Sequence, residues 1–325
     1  MKEAAAKLIT HGASFVKRYM VKTLNKDFFI PEPVPRLSIE TTNICDAGCL
    51  FCANSAMKRR RQHIEMPIFK KAVDEFAAMG GHLIDFNTVI GEPLLDPSIL
   101  ERARYVRSFR QFESLGFITT LQWLHKFDID SFFESGINRL KVSAVLSGRE
   151  RYKEFFGVDR YDIFLKNLLT LIKENNNRKK IIDIYIDIKP TNEHISDIIN
   201  HHDFKMVNSL LEQDLPASLK ISGCYVDDWL GTVRLPSYLK RRPLYPRLFH
   251  PCALFYSGLI IYSNGKAGVC ACRDFEADSE LILGDLTNFT IEELWKGQTL
   301  ASLRSNWRRR NIIPDICKIC RHYVY

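Results

Sequence analysis

The chain has 325 residues, 46% of them hydrophobic, and carries a formal net charge of +8. This composition is typical of a globular protein with a substantial core, and no apolar run approaches the roughly 20 residues that a membrane span needs. Nine cysteines without a recognisable secretory leader argue against a disulfide framework. We therefore expect a metal-binding protein in a reducing compartment, the cytoplasm.

Residues 1–35 are predicted to form an amphipathic basic helix and a connector. The helical pattern covers residues 3–24, and we expect this helix to cap the following domain, although a membrane surface or a partner would also suit it. Pro31, Pro33 and Pro35 then prevent the helix from continuing.

Residues 36–225 alternate between strand and helix patterns. This repeated order predicts an α/β fold with a parallel sheet or barrel, in which functional loops follow the carboxyl ends of the strands. The predicted strands are Leu37–Thr41, His82–Asn87, Glu113–Thr119, Arg139–Ala144 and Ile181–Ile188, and the predicted helices are 66–80, 97–109, 127–135 and 160–175.

Three cysteines stand close together after the first predicted strand. They are Cys45, Cys49 and Cys52, with three and then two residues between them. A structural zinc usually takes four protein ligands, whereas an iron–sulfur cluster held by three cysteines keeps one iron open. A zinc knuckle or a set of buried thiols is the alternative.

This spacing, with the aromatic Phe51 directly before the last cysteine, resembles the signature of the radical S-adenosylmethionine (SAM) superfamily. The resemblance implies that Cys45, Cys49 and Cys52 hold a [4Fe–4S] cluster whose open iron chelates SAM. It implies that the cluster cleaves SAM reductively and that the 5′-deoxyadenosyl radical removes a hydrogen atom from the substrate. It also implies a partial (β/α)6 barrel over residues 36–225.

Two further features match the superfamily. Gly91-Glu92-Pro93 resembles its Gly-Gly-Glu-Pro motif, which binds the SAM amino group, although Ile90 replaces the first glycine here. Ser143 matches the position of a polar residue that contacts SAM in many relatives. Weaker candidates for supporting or ligand contacts are Glu40, Asn43, Lys189 and Asn192.

The C-terminal third has a different pattern. Residues 226–251 are predicted to be a linker or a loop folded over the barrel, and residues 252–325 a separate small domain. The segment from Cys252 to Cys272 predicts a β-hairpin that turns at Asn264-Gly265. Thr290 and Glu293 form a capping box ahead of a predicted helix Ile291–Arg309.

Four cysteines of this region make a closed ligand set: Cys252, Cys270, Cys317 and Cys320. Their spacing alone also suits a zinc ribbon. The cysteine order, the hairpin and the Gly-Asp-Leu and Glu-Leu-Trp segments together resemble the twitch domain, the shortened form of the SPASM domain. The resemblance implies that these four cysteines ligate one auxiliary [4Fe–4S] cluster.

Two cysteines are left over. Residues two apart in a strand point to the same face, so we expect Cys272 to lie near the auxiliary cluster, facing the barrel mouth. We interpret Cys272 as a hydrogen-atom donor; the alternatives are a substituted cluster ligand and a small buried thiol. Cys224, at the end of the sixth predicted strand, is expected in the core.

The chain resembles radical SAM enzymes with a twitch domain that include an inosamine dehydrogenase and an aminoglycoside epimerase. We favour an epimerase that inverts a carbinol carbon, with Cys272 returning hydrogen to the opposite face. The alternatives are a two-electron alcohol dehydrogenase, with the auxiliary cluster as electron acceptor, and a peptide-modifying enzyme, which the lack of an obvious peptide-recognition domain disfavours.

The partners follow from charge and chemistry. The basic character favours an anionic, sugar-like substrate, either nucleotide-linked or amino, and an acidic flavodoxin or ferredoxin as electron donor. A zinc-stabilised RNA-binding protein would also use the arginine runs. However, the basic clusters lack interleaved aromatic residues and the three-cysteine site is open, so we expect no nucleic-acid partner.

Overall fold

A computed structural model describes residues 30–87, 89–211, 219–244, 251–270, 273–310 and 312–323. The helix expected over residues 3–24 and Cys272 lie outside the described residues. Within these ranges no helix combines the length and the apolar character that crossing a membrane requires.

The first part of the described chain contains six parallel strands in two hydrogen-bonded sets. The first set pairs β1 with β2, and the second has the order β3-β4-β5-β6. The Phe86 amide, just after β2, donates to the Gly116 carbonyl at the start of β3 (3.0 Å), which continues the wall from one set to the other. The predicted α/β fold with a partial parallel barrel is confirmed. The strands are β1 Arg36–Ile39, β2 Leu83–Asp85, β3 Gly116–Thr119, β4 Arg139–Ala144, β5 Asp183–Ile188 and β6 Leu219–Ile221.

Four helices lie where the periodicity predicts them, three of them slightly shorter and the last one residue longer than predicted: α1 Met66–Ala78, α2 Ile99–Arg107, α3 Ile129–Glu134 and α5 Tyr161–Asn177. The position of helix α1 follows from its apolar residues. Phe69, Ala72, Val73 and Phe76 recur at helical spacing and are fully buried. Phe76 stacks on Phe112 with 5.8 Å between ring centroids, so this face of α1 covers the sheet.

Three further helices of the barrel region were not predicted from the sequence. They are α4 Arg149–Phe156, α6 Ile195–Asn200 and α7 His202–Leu210. Each has only six to nine residues, about two helical turns, so the helical period in the sequence is weak. Helix α4 is highly charged yet buries Tyr152, Phe155 and Phe156. Its carboxyl end packs on the cysteine loop.

The predicted hairpin is confirmed, and it extends the sheet of the barrel. After a short helix α8 (Leu254–Ser257), strand β9 (Leu259–Ile261) and strand β10 (Lys266–Gly268) pair antiparallel, and β11 (Ile282–Asp285) follows. Strand β9 also pairs in parallel with β1, which gives the order β11-β10-β9-β1-β2. The two cysteine-bearing regions therefore share one sheet.

The prediction of a single helix over Ile291–Arg309 is wrong in one respect. It is divided into α9 (Ile291–Lys296) and α10 (Gln298–Arg310), and α11 (Asp315–Ile319) follows. Gly297 between α9 and α10 has extended backbone, with φ −67° and ψ 158°. A Cβ at this position would lie 2.4 Å from the Glu293 carbonyl oxygen, so the break depends on glycine.

The segment after β6 lies over the barrel mouth. Its strands β7 (Tyr225–Val226) and β8 (Lys240–Arg241) pair in parallel. The buried Trp229 has φ +50°, and its indole N–H donates to the Phe51 carbonyl at 2.6 Å. The core position expected for Cys224 is wrong, because this residue is half-buried and stands between β6 and β7.

Candidate active site

The three-cysteine loop follows β1 at its carboxyl end, as predicted. Burial raises the pKa of Cys45 to about 12, and the nearby Glu92 and Cys52 add to the rise. Burial likewise raises the pKa of Cys49, with Cys52 and Cys45 as further causes. The three thiols are therefore close enough to oppose one another's ionisation. A bound cation would stabilise their thiolates, so the donor set fits a metal cluster.

Backbone and amide contacts hold this loop. The Asn54 side chain donates to the carbonyls of Cys45 (3.1 Å) and Ala47 (2.8 Å). The amides of Gly48 and Leu50 donate to the carbonyls of Phe156 (2.8 Å) and Phe155 (2.9 Å) at the end of α4. Helix α4 thus fixes the loop from one side.

Gly91-Glu92-Pro93 follows β2 and contacts the chain just before Cys45. The Glu92 amide donates to the Ile44 carbonyl at 2.9 Å. The fully buried Glu92 carboxylate accepts hydrogen bonds from the hydroxyls of Thr119 and Thr120 (both 2.6 Å) and from the Thr120 amide (2.7 Å). Burial nevertheless raises the pKa of Glu92. A ligand ammonium beside it would favour the ionised form, which fits the predicted contact with the SAM amino group.

Ile90, which departs from the superfamily motif, is 2% exposed and belongs to an apolar cluster. Trp229, Tyr262 and Phe275 of the C-terminal part pack in the same cluster. The larger side chain therefore fills the contact between the barrel and the C-terminal region. The departure therefore has a packing reason.

A lysine–aspartate group lies at the ends of β4, β5 and β6. Ser143 pairs with Asp187 in the sheet register. The Asp187 carboxylate lies 2.8 Å from the Lys189 ammonium and 3.1 Å from that of Lys141, and the Ser222 hydroxyl also donates to it. Burial opposes the ionisation of Asp187, but these donors hold its pKa below the usual range. Sequence reasoning missed Asp187, which looks like any polar residue in a strand, whereas Asn192 is exposed.

The four C-terminal cysteines of the predicted auxiliary set line one common cavity. Burial raises the pKa of Cys317, and the thiols of Cys270, Cys252 and Cys320 reinforce the rise. The His322 amide donates to the Cys320 sulfur at 3.3 Å. In the described ranges no three Cys, His, Asp or Glu side chains are spaced for a single metal ion. Four thiols around one cavity are the donor set of an iron–sulfur cluster.

A cavity of about 1150 Å³ adjoins both cysteine sets. Phe51 of the three-cysteine loop lines this cavity, and so do His322 and Tyr323, which also line the auxiliary cavity. Among the described residues, seven lysine and arginine side chains but only two aspartates face it. The basic residues are Lys141, Lys189, Lys220, Arg241, Arg242, Arg273 and Arg321.

Arg273 lies between the two cysteine sets. Its Nε is 2.6 Å from Asp227 Oδ1, and its guanidinium lies 4.4 Å from the centroid of the Trp229 ring. Burial raises the pKa values of both Cys52 and Cys320, and the Arg273 charge partly offsets the rise at each. One arginine therefore influences both sites electrostatically.

The comparisons with known proteins come from family models and from solved structures. Residues 39–202, half of the chain, match the model of the radical SAM superfamily. The chain belongs to the radical SAM superfamily. Residues 252–321 match the model of the SPASM iron–sulfur cluster-binding domain. A search of curated proteins finds no match.

Several solved structures share the radical SAM fold. BtrN in complex with AdoMet and 2-DOIA is 14% identical, with a TM-score of 0.54 over 91% of this chain and 94% of that one. The anSMEcpe enzyme with bound AdoMet is 13% identical, with a TM-score of 0.56 over 89% and 88%. Streptococcus suis SuiB bound to S-adenosylmethionine is 13% identical, with a TM-score of 0.52 over 99% and 85%.

Membership of the radical SAM superfamily implies SAM and a [4Fe–4S] cluster, and the SPASM domain implies an auxiliary iron–sulfur cluster. The two buried thiol sets fit these groups, since each is rich in soft sulfur donors. Individual ligand contacts remain predictions for Phe51, Gly91, Glu92, Pro93 and Ser143. Nothing described bears on Cys272 itself, although Cys270 lines the auxiliary cavity and Arg273 lines the large one.

Proposed function

We propose that this radical SAM enzyme epimerises a carbinol carbon of a sugar-like substrate held in the large cavity. The observation that carries the proposal is that the walls of this cavity come from both cysteine-bearing regions and that nine of its twenty described lining residues are lysine, arginine or aspartate. A polar lining of this kind suits a polyhydroxylated substrate better than an apolar one. Cys45, Cys49 and Cys52 would hold the first cluster, which would supply reductive cleavage of SAM and so the 5′-deoxyadenosyl radical that removes the hydrogen atom from the carbinol carbon.

The protein residues have two tasks in this reaction. Lys189 and Asp187 lie beside Phe51, with the Lys189 ammonium 5.6 Å from the Phe51 ring centroid. They would orient the hydroxyl of the reacting carbon, with the ammonium as donor and the carboxylate as acceptor. Cys272 would give its thiol hydrogen atom to the opposite face of the substrate carbon. One electron and one proton then return the resulting thiyl to the thiol.

A two-electron dehydrogenase is the second candidate. The auxiliary thiol set lies close to the large cavity. This favours a dehydrogenase, because a four-cysteine cluster at that place suits an outer-sphere electron acceptor. Asp187 would accept the hydroxyl proton as the carbonyl forms, and the product would be two mass units lighter. In either reaction an acidic flavodoxin or ferredoxin would supply the electron, attracted by the net charge of +8.

Cys272→Ala tests the epimerase proposal, with Cys224→Ala as the matched cysteine control. The anaerobically reconstituted full chain is assayed in deuterated buffer against nucleoside diphosphate sugars, amino sugars and cyclitols. Wild type and Cys224→Ala should give inverted product with one deuterium at the inverted carbon. Cys272→Ala should retain the iron of both clusters and form 5′-deoxyadenosine without inverted product.

Three results would count against the epimerase. An oxidised wild-type product would indicate the dehydrogenase. Inverted product from Cys272→Ala at the wild-type rate would remove Cys272 from the reaction. Loss of one cluster's iron from this variant would make Cys272 a cluster ligand.

A further inference from the structure

We infer that one wall of the large cavity binds the diphosphate group of the substrate, an inference that rests on the proposed function because it takes this cavity as the substrate site. The wall consists of Arg241 at the end of β8, the adjacent Arg242, and Arg321 after α11. We call these three residues the arginine wall. It shares no residue with the lysine–aspartate group at the strand ends.

A buried carboxylate anchors the arginine wall. Asp228 has a side chain only 3% exposed, and its Oδ2 lies 3.2 Å from Arg241 Nε and 3.5 Å from Arg321 Nε. One oxygen atom therefore holds two guanidiniums that line the same cavity. Burying a carboxylate is costly, and two guanidiniums around it offset that cost while fixing their own positions.

Two further contacts link the residues of the arginine wall. Arg321 Nη1 donates to the Arg242 carbonyl at 2.8 Å, which links the C-terminal segment to the chain after β8. Arg242 Nη1 lies 3.0 Å from His322 Nδ1. The three arginines are thus linked through Asp228, the Arg242 carbonyl and His322, although the Arg241 side chain is 57% exposed. Such a preorganised group binds an anion without first paying the entropy of ordering long side chains.

The charge of the arginine wall matches a diphosphate diester. Within the described part of the chain, Asp228 pairs with two of these three guanidiniums, those of Arg241 and Arg321, so the wall carries three positive charges and one negative charge. Two positive charges remain, and a diphosphate diester carries two negative ones. Guanidinium groups also present paired N–H donors that suit phosphate oxygens.

The size of the cavity supports a substrate larger than a single sugar. Its volume of about 1150 Å³ exceeds the usual range of about 300–1,000 Å³ for small-molecule pockets. Of the predicted SAM contacts, Phe51 lines the cavity, whereas Gly91, Glu92, Pro93 and Ser143 are not among the described residues that line it. A sugar placed at Asp187 and Lys189 would leave the arginine wall for a diphosphate and the group beyond it.

Inorganic pyrophosphate is the direct probe. We would titrate it by isothermal calorimetry into the anaerobically reconstituted full chain with SAM present, at fixed ionic strength. Wild type should bind one pyrophosphate per chain, and Arg241→Gln and Arg321→Gln should each weaken binding about tenfold, the loss expected for one charge-assisted contact. Arg310→Gln, at the exposed end of α10, is the matched control and should bind as wild type does.

Asp228→Asn separates a built site from general attraction. This change keeps the side-chain shape but raises the positive charge of the cavity. If net charge alone attracted the anion, pyrophosphate would bind more tightly. If Asp228 holds the guanidiniums in place, binding should weaken despite the added charge. Circular dichroism and iron content of each variant confirm that it is folded and loaded.

Titrations with uridine diphosphate and with inorganic phosphate test the inference further. Tighter binding of uridine diphosphate than of pyrophosphate would support a nucleotide-linked substrate, and equal binding would support a diphosphate joined to another group. Inorganic phosphate bound as tightly as pyrophosphate, equal weakening by Arg310→Gln, tighter binding by Asp228→Asn, or no saturable binding would each overturn the inference. These titrations require no turnover, so they can succeed while the epimerase assay fails, or the reverse.

Discussion

Gly91 is the residue of the candidate site whose backbone leaves no room for a side chain. Its φ of +148° is one that L-residues rarely adopt, and a Cβ would lie 2.3 Å from the Thr42 carbonyl oxygen. Thr42 stands just before the three-cysteine loop. The position of Glu92 and the path of this loop therefore depend on one glycine.

We predict that Gly91→Ala destabilises the protein by about 1–3 kcal/mol from backbone strain alone. The shift of the 42–44 segment should also lower SAM cleavage. The thermal midpoint of the reconstituted enzyme and the yield of 5′-deoxyadenosine measure the two effects. Gly223→Ala is the stability control, because a Cβ there meets no atom within 4 Å. Equal midpoints for the two variants would contradict the prediction.

Helix α9 shows how one element is attached to both halves of the molecule. Thr290 Oγ1 accepts from the Glu293 amide (3.2 Å), and Glu293 Oε2 accepts from the Thr290 amide (2.8 Å), which completes the predicted capping box. The Ile291 amide donates to Glu75 Oε2 of α1 at 2.8 Å. The amino end of α9 is therefore fixed by its own cap and by a barrel helix.

Thr290→Ala should cost about 1 kcal/mol, the usual value of a helix N-cap. The thermal midpoint should fall by about 2 °C. Glu293→Gln is the matched comparison, because its amide oxygen still accepts from the Thr290 amide, and it should cost less. The prediction fails if Thr290→Ala leaves the midpoint unchanged or if Glu293→Gln costs more.

At the scale of the whole molecule, a buried ion pair joins the barrel to the C-terminal domain. Arg59 Nη1 lies 2.6 Å from Glu40 Oε1, and their side chains are 5% and 0% exposed. Glu40 Oε1 also accepts from the Ser263 amide (3.1 Å) and hydroxyl (2.9 Å), while Arg59 Nε donates to the Phe275 carbonyl (3.0 Å). The pair therefore connects the end of β1 to the chain that follows β9 and β10.

Arg59→Met should destabilise the enzyme by roughly 3–5 kcal/mol, because it leaves the Glu40 charge buried without its partner. Combining it with Glu40→Gln should cost less than the sum of the two single changes, because the double variant has no buried charge at these positions. Thermal midpoints of the single and double variants provide the cycle, and Arg60→Met, an exposed neighbour, is the control. Strictly additive costs would show that the two residues act independently.

The local sequence determined much of the architecture and of the metal chemistry. Cysteine spacing indicated the first thiol set, whose ligands lie within eight residues, and the resemblance to the twitch domain indicated the auxiliary set, whose ligands span residues 252–320. Strand and helix periods located β4 and most of the long helices, and Asn264-Gly265 and Thr290–Glu293 gave the hairpin turn and the cap, since each depends on neighbouring residues.

Only the tertiary structure decided which distant residues meet. Arg59 belongs to a basic run that would ordinarily be read as solvated, yet its partner Glu40 is 19 positions away. Asp228 and Arg321 lie in segments without a shared motif, and their contact depends on β9 joining β1 and on the chain after β6 crossing the barrel mouth. Such pairings are set by packing and burial over the whole chain. A local sequence pattern therefore does not predict these pairings.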